Sequence, residues 1–389
     1  MKLHIALFGT GERFPVLLDK ESGQPARLAT RYVVRIRRAR QQVGTISNDL
    51  RSIGALYNWF ADQGIDLEDR LRRRELLTPS EIGGFATFLR SGRQEKVIGR
   101  IGKINSVLSA NVLNSNLASV RRFLEWVYDQ QLGTSLSGGD FEKAKQKLGF
   151  AFRAQALKIV PTPRKYALTK TEDEELLRLI DPQAPDNPFH KPGRERNYLM
   201  IRLFLETGMR RGELSKLKVE DVVTHGPEPH VNVKRRPGDP QDPRRIEPAV
   251  KTLERRIVIS RPLARLVIDY LRDHRGRQRH PYLFCSTRGQ VPLTLSGVDG
   301  IFMEIRRYFK PEQGKFSPHI LRHTFFTRIA EIINRSGAEP GYAQGVKNYV
   351  AGWADGSKQH VVYERQLAEA DAAEFTKLLH GELYKEEVR

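Results

Sequence analysis

The spacing of apolar residues limits the folds that this chain can adopt. Over most of its length apolar residues recur at three- and four-residue steps, as on the buried face of an amphipathic helix, and the stripes over 46–60 and 114–131 are strong. In the second half the spacing switches to strand-like alternation at 230–234 and 255–259, which a polar, proline-rich loop joins. The pattern predicts a mostly α fold with a small antiparallel β-sheet.

Breaks in this pattern divide the chain into four parts. Residues 1–42 are predicted to be a small N-terminal extension with a short strand or two and a basic stretch. Residues 43–155 are basic and predicted to form four or five helices. Residues 156–168 have few periodic apolar side chains and two prolines, so we expect a linker there. Residues 169–389 place further helices on both sides of the two strands.

The net charge points to a polyanionic partner. The sequence has 66 Lys+Arg against 46 Asp+Glu, a formal charge of +20. Such an excess attracts nucleic acid and makes binding depend on salt, although ribosomes or anionic membranes would also attract it. Cys285 is the single cysteine, which excludes an internal disulfide and a multi-cysteine metal site. We expect it to be a small buried hydrophobic residue.

The sequence predicts a protein of the cytoplasm. No apolar run is long enough to span a membrane, and the apolar stretch that begins at Leu3 is too short for a secretory signal.

Two groups of residues in the second half could bind an anion. In the segment 207–214, Arg210 is predicted near a helix N-terminus, where its guanidinium and backbone N–H groups can face an anion. Glu213, one turn further, could anchor the backbone or the arginine. His319 and Arg322 share one helix face, and the apolar residues around them should hold that helix rigidly.

Two further groups are ordinary when each is considered alone. Lys251 precedes the second strand and could reach into a cleft from a hairpin turn; Lys234, on the first strand, is the competing candidate. Trp353 is followed by Tyr363, and a single tyrosine near a C-terminus usually serves packing. Surface charge and packing are therefore the alternative interpretations for these residues.

In this order and spacing, the four groups resemble the catalytic domain of the tyrosine recombinase (phage integrase) family. The resemblance covers about residues 165–380 and, more loosely, 43–150, which is similar to the family's helical, SAM-like core-binding domain. It implies that 169–389 is a catalytic domain with a helical C-terminal tail, and that the two domains clamp DNA like a C. Residues 1–42 match nothing in the family.

The resemblance also implies a role for each residue. Trp353 stands where the family more often has histidine, and could donate its indole N–H to a phosphate oxygen or pack against Tyr363. The interval between these two is one residue longer than is commonest, and the hairpin loop is long. The implied roles are catalytic arginines for Arg210 and Arg322, structural support for Glu213, general base for His319, general acid for Lys251 and nucleophile for Tyr363.

The implied reaction forms a 3′-phosphotyrosine and a free 5′-hydroxyl, and keeps the energy of the broken bond. We therefore expect no cofactor, ATP or metal; the sequence shows neither a Gly-rich phosphate loop nor an acidic metal-binding cluster. The expected partners are double-stranded DNA and further copies of the chain in a tetramer on two DNA sites, which accessory recombinases could join. Exchange of C-terminal tails would support assembly through an apolar stripe of Leu367, Phe375, Leu378, Leu379 and Leu383. The alternative is that this stripe packs on its own domain.

Such an enzyme would act at the bacterial nucleoid as the integrase or transposase of a mobile element. The nearest alternative is a type IB topoisomerase or a resolvase with the same chemistry. A non-catalytic DNA-binding regulator on the same fold is a different class. An RNA-binding module is disfavoured because no aromatic-rich RNP-like strand is visible.

Overall fold

The computed structural model describes residues 1–38, 41–91, 108–132, 138–160, 166–287, 291–337, 339–353 and 372–381. The chain forms two compact units, one of Met1–Phe8 and Glu12–Thr162, the other of Gly9–Gly11 and Pro163–Arg389. Among the described residues, no helix has both the length and the apolar character needed to cross a membrane.

The first unit begins with an antiparallel hairpin of β1 (Lys2–Leu7) and β2 (Arg13–Leu18). A short helix, α1 (Arg27–Tyr32), runs on into a π-helical turn at Val33–Arg37. The hairpin packs on α2 (Val43–Asp62) and α1 packs on α5 (Ala110–Leu132), and their apolar side chains join one core. The hairpin thus completes the helical core rather than lying apart from it.

Besides α1 and α2, four helices lie in the described part of the first unit. They are α3 (Leu67–Arg72), α4 (Pro79–Ser91), α5 (Ala110–Leu132) and α6 (Gly138–Ala154). Thr78 and Glu81 form the expected capping box of α4, with Thr78 N donating to Glu81 Oε2 at 2.7 Å and Glu81 N to Thr78 Oγ1 at 3.2 Å.

The second unit surrounds a three-stranded antiparallel sheet, ordered β3-β4-β5, with helices. The strands are β3 (Val222–Val223), β4 (His230–Val233) and β5 (Arg255–Val258). This confirms the mostly α fold with small antiparallel sheets. The helices are α7 (Lys170–Ile180), α8 (Arg194–Thr207), α9 (Arg211–Lys216), α10 (Arg261–Asp269), α11 (Leu295–Tyr308), α12 (Pro318–Arg335), α13 (Pro340–Ala351) and one over 372–381.

Helix α8 forms the centre of the second unit, because nearly all of its side chains from Arg196 onward are buried. It packs against α12, whose start is set by Ser317 as N-cap and Pro318 in the first turn. A smaller cluster joins α12, α13 and the 372–381 helix. This packing fixes α8 and α12, the helices that lead into the two arginine segments.

The predicted tail stripe lies partly within the described residues. Phe375 and Leu379 are buried in their own unit, whereas Leu378 is 51% exposed. Leu367 and Leu383 lie outside the described residues. Cys285 is free and buried, as expected.

Candidate active site

Arg210 lies at the turn between α8 and α9. Gly208 ends α8 in the left-handed conformation, with a φ of 56°. A Cβ at this position would come within 2.3 Å of the Phe325 ring on α12, so the turn requires glycine to lie this close to α12. Arg210 is the N-cap of α9, and its side chain is 33% exposed. The turn therefore presents this guanidinium to solvent.

Glu213 is a buried carboxylate that ties three segments together. Its Oε2 accepts the backbone N–H of Arg210 at 2.8 Å and Nη2 of Arg255 at 2.8 Å. Its Oε1 accepts the Thr252 hydroxyl at 2.6 Å and Nη1 of Arg210 at 3.3 Å. Burial alone would raise the pKa of Glu213, but the Arg255 charge and these hydrogen bonds outweigh it and lower that pKa. Glu213 therefore stays ionised and holds Arg210.

Arg322 is 6% exposed and donates to backbone carbonyls. Its Nη1 bonds Gly208 O at 2.6 Å and its Nη2 bonds Ala351 O at 3.3 Å, while the guanidinium lies 4.6 Å from the centre of the Phe326 ring. Burial, followed by the nearby charge of Arg210, lowers the pKa of Arg322. The site thus holds a cation that the protein interior disfavours, and an anion would stabilise it.

The end of α13 joins both arginines. The carbonyl of Ala351 accepts from Arg210 Nη1 at 3.0 Å and from Arg322 Nη2 at 3.3 Å. Gly352 follows with a φ of 64°, and its carbonyl accepts the backbone N–H of Leu253 at 2.9 Å. Two guanidiniums far apart in sequence therefore meet at one oxygen, beside the loop that carries Lys251.

Trp353 packs on the aromatic ring that also contacts Arg322. Its indole is nearly parallel to the Phe326 ring, at 8° and 6.4 Å between centroids, and the residue is 51% exposed. Both predicted roles of Trp353 stay predictions, because Tyr363 lies outside the described residues.

His319 lies in the first turn of α12, one turn before Arg322, and is exposed. Its ring meets the ring of His323 edge-on, at 4.8 Å between centroids and 86° between planes. The predicted shared helix face of His319 and Arg322 is therefore present.

Lys251 is exposed in the loop between β4 and β5, directly before Thr252. Since the Thr252 hydroxyl bonds Glu213, the backbone of Lys251 is held one residue from that carboxylate. The competing Lys234 follows β4, and its Nζ lies 3.4 Å from the buried carboxylate of Asp221. Lys234 thus forms an ion pair with Asp221, and the role of Lys251 stays a prediction.

The site has a positive charge balance suited to a phosphate. Arg210, Arg255 and Arg322 surround the single carboxylate of Glu213 in this network. Guanidiniums bind phosphate oxygens through paired, charge-assisted hydrogen bonds. Within the described ranges, no group of three or more His, Cys, Asp or Glu side chains could hold a metal ion.

Thr252, Arg255 and Gly352 are residues of this contact network that the sequence interpretation missed. Arg255 is buried and pairs with Glu213 across 42 positions, a separation that no local pattern reveals. A Cβ on Gly352 would lie 2.7 Å from Arg255 Nη1 and 2.8 Å from Thr252 Cβ. The adjacency of Thr252 to Lys251 was the one available signal.

Comparison with known proteins agrees with this geometry. Residues 168–345 match the phage integrase family, a segment that includes both arginines, His319 and Lys251. Transposase A from transposon Tn554 of Staphylococcus aureus is 25% identical over 328 residues, covering 81% of this chain and 82% of the relative.

A solved structure shares the fold. The XerH site-specific recombinase, bound to its difH substrate in a pre-cleavage complex, superposes with a TM-score of 0.52 at 16% identity, over 84% of this chain and 79% of that one. The second unit therefore has the fold of a tyrosine recombinase. Residues 168–345, which lie in this unit, are a phage integrase family domain.

Proposed function

We propose that this chain is a site-specific recombinase that cuts and rejoins double-stranded DNA through a 3′-phosphotyrosine on Tyr363. The observation that carries the proposal is the meeting of Arg210 and Arg322 at the Ala351 carbonyl. A guanidinium has five N–H donors, and these contacts use only some of them. The others can bind the non-bridging oxygens of one phosphodiester, where charge develops during displacement at phosphorus.

The residues of the site suit each step of that displacement. The Tyr363 hydroxyl attacks phosphorus and His319 accepts its proton, since a phenol with a pKa of about 10 is mostly protonated at neutral pH. The bond from phosphorus to the 5′-oxygen breaks, and the Lys251 ammonium protonates that oxygen. Attack by a 5′-hydroxyl on the phosphotyrosine reverses the step, so the reaction consumes neither ATP nor a cofactor.

We infer further that the chain serves a mobile genetic element. Its relative is a transposase by name, and the XerH structure that shares its fold holds a DNA substrate. The formal charge of +20 also favours binding to DNA, which is a polyanion. Both units would contact the duplex, and four protomers would join two sites by exchanging tails, with accessory recombinases as further partners. The enzyme would act in the cytoplasm, at the nucleoid.

The test separates DNA binding from strand cleavage. Tyr363→Phe should keep selecting particular duplexes from a random-sequence pool, because it leaves the arginines in place. With a nicked form of the selected duplex it should form no covalent protein–DNA complex. Tyr308→Phe is the matched control, since Tyr308 is an exposed tyrosine of the same unit, and it should form the complex normally. A covalent complex with Tyr363→Phe would refute the nucleophile.

A second assay distinguishes the related activities. Wild-type protein should exchange strands between two plasmid copies of the selected duplex. If it relaxed supercoils without exchange between sites, it would be a type IB topoisomerase-like enzyme. If it bound the duplex without cleaving it, the chain would be a non-catalytic regulator.

A further inference from the structure

The loop between β4 and β5 folds over buried charges. We use the name loop clamp for four residues: Lys216 on α9, and Asp242, Arg244 and Glu247 in the loop. The Asp242 carboxylate accepts Arg244 Nε and Nη2, both at 2.8 Å, and lies 3.2 Å from Lys216 Nζ. The same Lys216 ammonium forms an ion pair with Glu247. Arg244 also donates to the backbone carbonyls of Ser215 and Leu293. The clamp thus binds the loop to α9.

An aromatic ring and a second ion pair lie under the clamp. The Arg244 guanidinium lies 4.5 Å from the centre of the Tyr282 ring, and the Tyr282 hydroxyl donates to Asp239 at 2.8 Å. Lys218 Nζ lies 3.0 Å from the same carboxylate. These contacts hold the first half of the loop as the clamp holds the second.

Closing a loop does not require buried charge. The side chains of Lys216, Asp242 and Arg244 are each at most 3% exposed and that of Glu247 is 9% exposed, whereas loop charges usually remain in water. Burying ionised groups costs desolvation free energy, which their ion pairs and hydrogen bonds offset only when the geometry is good. An arrangement of this kind specifies one conformation of the loop more than it adds stability.

The clamp leads directly to Lys251. Glu247 lies four residues earlier, and the intervening Ala249 and Val250 are fixed. Gly212 lets α9 approach so closely that a Cβ there would lie 2.4 Å from the Ala249 carbonyl oxygen, and Val250 is buried in the cluster beside the sheet. Since α9 begins next to Arg210, one short helix sets the positions of both Arg210 and Lys251.

We propose that Asp242 and Glu247 are positioning residues for Lys251, holding its ammonium at the leaving 5′-oxygen. The proposal rests on the proposed function. A general acid contributes about 10²–10⁴-fold to a reaction, and a displacement of about 1 Å can remove 10²-fold. Weakening the clamp should therefore impair protonation of the leaving group while phosphate binding by the arginines continues.

A sulfur substitution isolates this step. In a duplex with sulfur in place of the 5′-bridging oxygen, Tyr363 attack breaks the phosphorus–sulfur bond and releases a thiolate, which needs no proton. On the normal duplex, cleavage by Asp242→Asn and Glu247→Gln should be about 10- to 100-fold slower than wild type. On the sulfur duplex both should cleave at close to the wild-type rate, as Lys251→Ala should. The probe is the duplex that Tyr363→Phe selects.

The control is Asp49→Asn, which removes a buried carboxylate of the first unit that two arginines and a serine contact. It should change the two cleavage rates by the same factor. If the clamp variants fold, as thermal melting reports, but lose both reactions equally, the positioning role is refuted. If Asp242→Asn does not fold, the comparison is made with Glu247→Gln alone. If sulfur fails to rescue Lys251→Ala, the acid is another group and the positioning proposal falls, while the phosphotyrosine chemistry stands on its own test.

Discussion

At the residue scale, Arg322 links the stability of the fold to the proposed binding of phosphate. It is buried, its hydrogen bonds go to the carbonyls of Gly208 and Ala351, and burial lowers its pKa, so the folded site disfavours the cation. We expect inorganic phosphate to relieve this and raise the melting temperature. At 100 times its dissociation constant a ligand adds about 2.7 kcal/mol, which is several degrees for a unit of this size. Calorimetry over a phosphate series at constant ionic strength measures the increment.

The arginine variants make that experiment specific. Arg322→Met should lose most of the phosphate-dependent increment, whatever its own melting temperature. Arg307→Met should keep it, because that side chain is 70% exposed on α11 and only contributes to the general positive charge. Equal increments in the two variants would show that phosphate binds elsewhere on this basic chain.

At the element scale, α9 depends on one glycine. Replacing an exposed glycine inside a helix by alanine normally stabilises a protein by about 0.5–1 kcal/mol. Gly300 on α11 has no atom within 4 Å of a built Cβ, so Gly300→Ala should show that gain. At Gly212 the Cβ would meet the Ala249 backbone at 2.4 Å, so Gly212→Ala should instead lower the free energy of unfolding by about 1–3 kcal/mol. Urea denaturation measures the change in the free energy of unfolding of both variants. If Gly212→Ala were more stable than wild type, the loop at Ala249 would move aside without loss of stability.

The sequence predicts elements better than it predicts the contacts between them. The stripes of α2 and α5, the cap of α4 and the two strands follow from local rules of spacing and capping. The link between Arg210 and Glu213 was also predictable, since one helical turn separates them. Arg255 was not, because its pairing with Glu213 depends on how α9 packs beside β5.

The loop between β4 and β5 shows the same limit. Its prolines and charges predicted a polar loop, and nothing in the pattern indicated that Asp242 and Arg244 are buried. Burial of those charges is possible only because Lys216 and Tyr282 come from other segments to meet them. The spacing of residues along the chain does not predict which distant segments will supply these partners.

At the scale of the whole molecule, the helix over 372–381 returns to the core of its own unit. Phe375 and Leu379 fill the cluster with α12 and α13, and Lys377 forms an ion pair with Glu228. His380 is buried, with Nε2 at 3.5 Å from the Glu206 carboxylate of α8. The proposed tail exchange between protomers would have to break these contacts or reproduce them with a neighbour's copy.

Acid should loosen this helix. Burial, partly offset by the Glu206 charge, lowers the pKa of His380 below its ordinary value of about 6.5, and Arg202 lowers it further. In acid, the folded chain therefore binds fewer protons than the unfolded chain. The contribution of His380 to the free energy of unfolding is complete above a pH of about 6.5 and is lost as the pH falls below it, by at most about 1.4 kcal/mol per pH unit. The melting temperature of His380→Gln should therefore fall less than that of wild type when the pH is lowered from 7.5 to 5.5. His274→Gln, at a histidine whose side chain is 38% exposed, should behave like wild type. If all three proteins lost the same number of degrees, His380 would not be a source of the acid sensitivity.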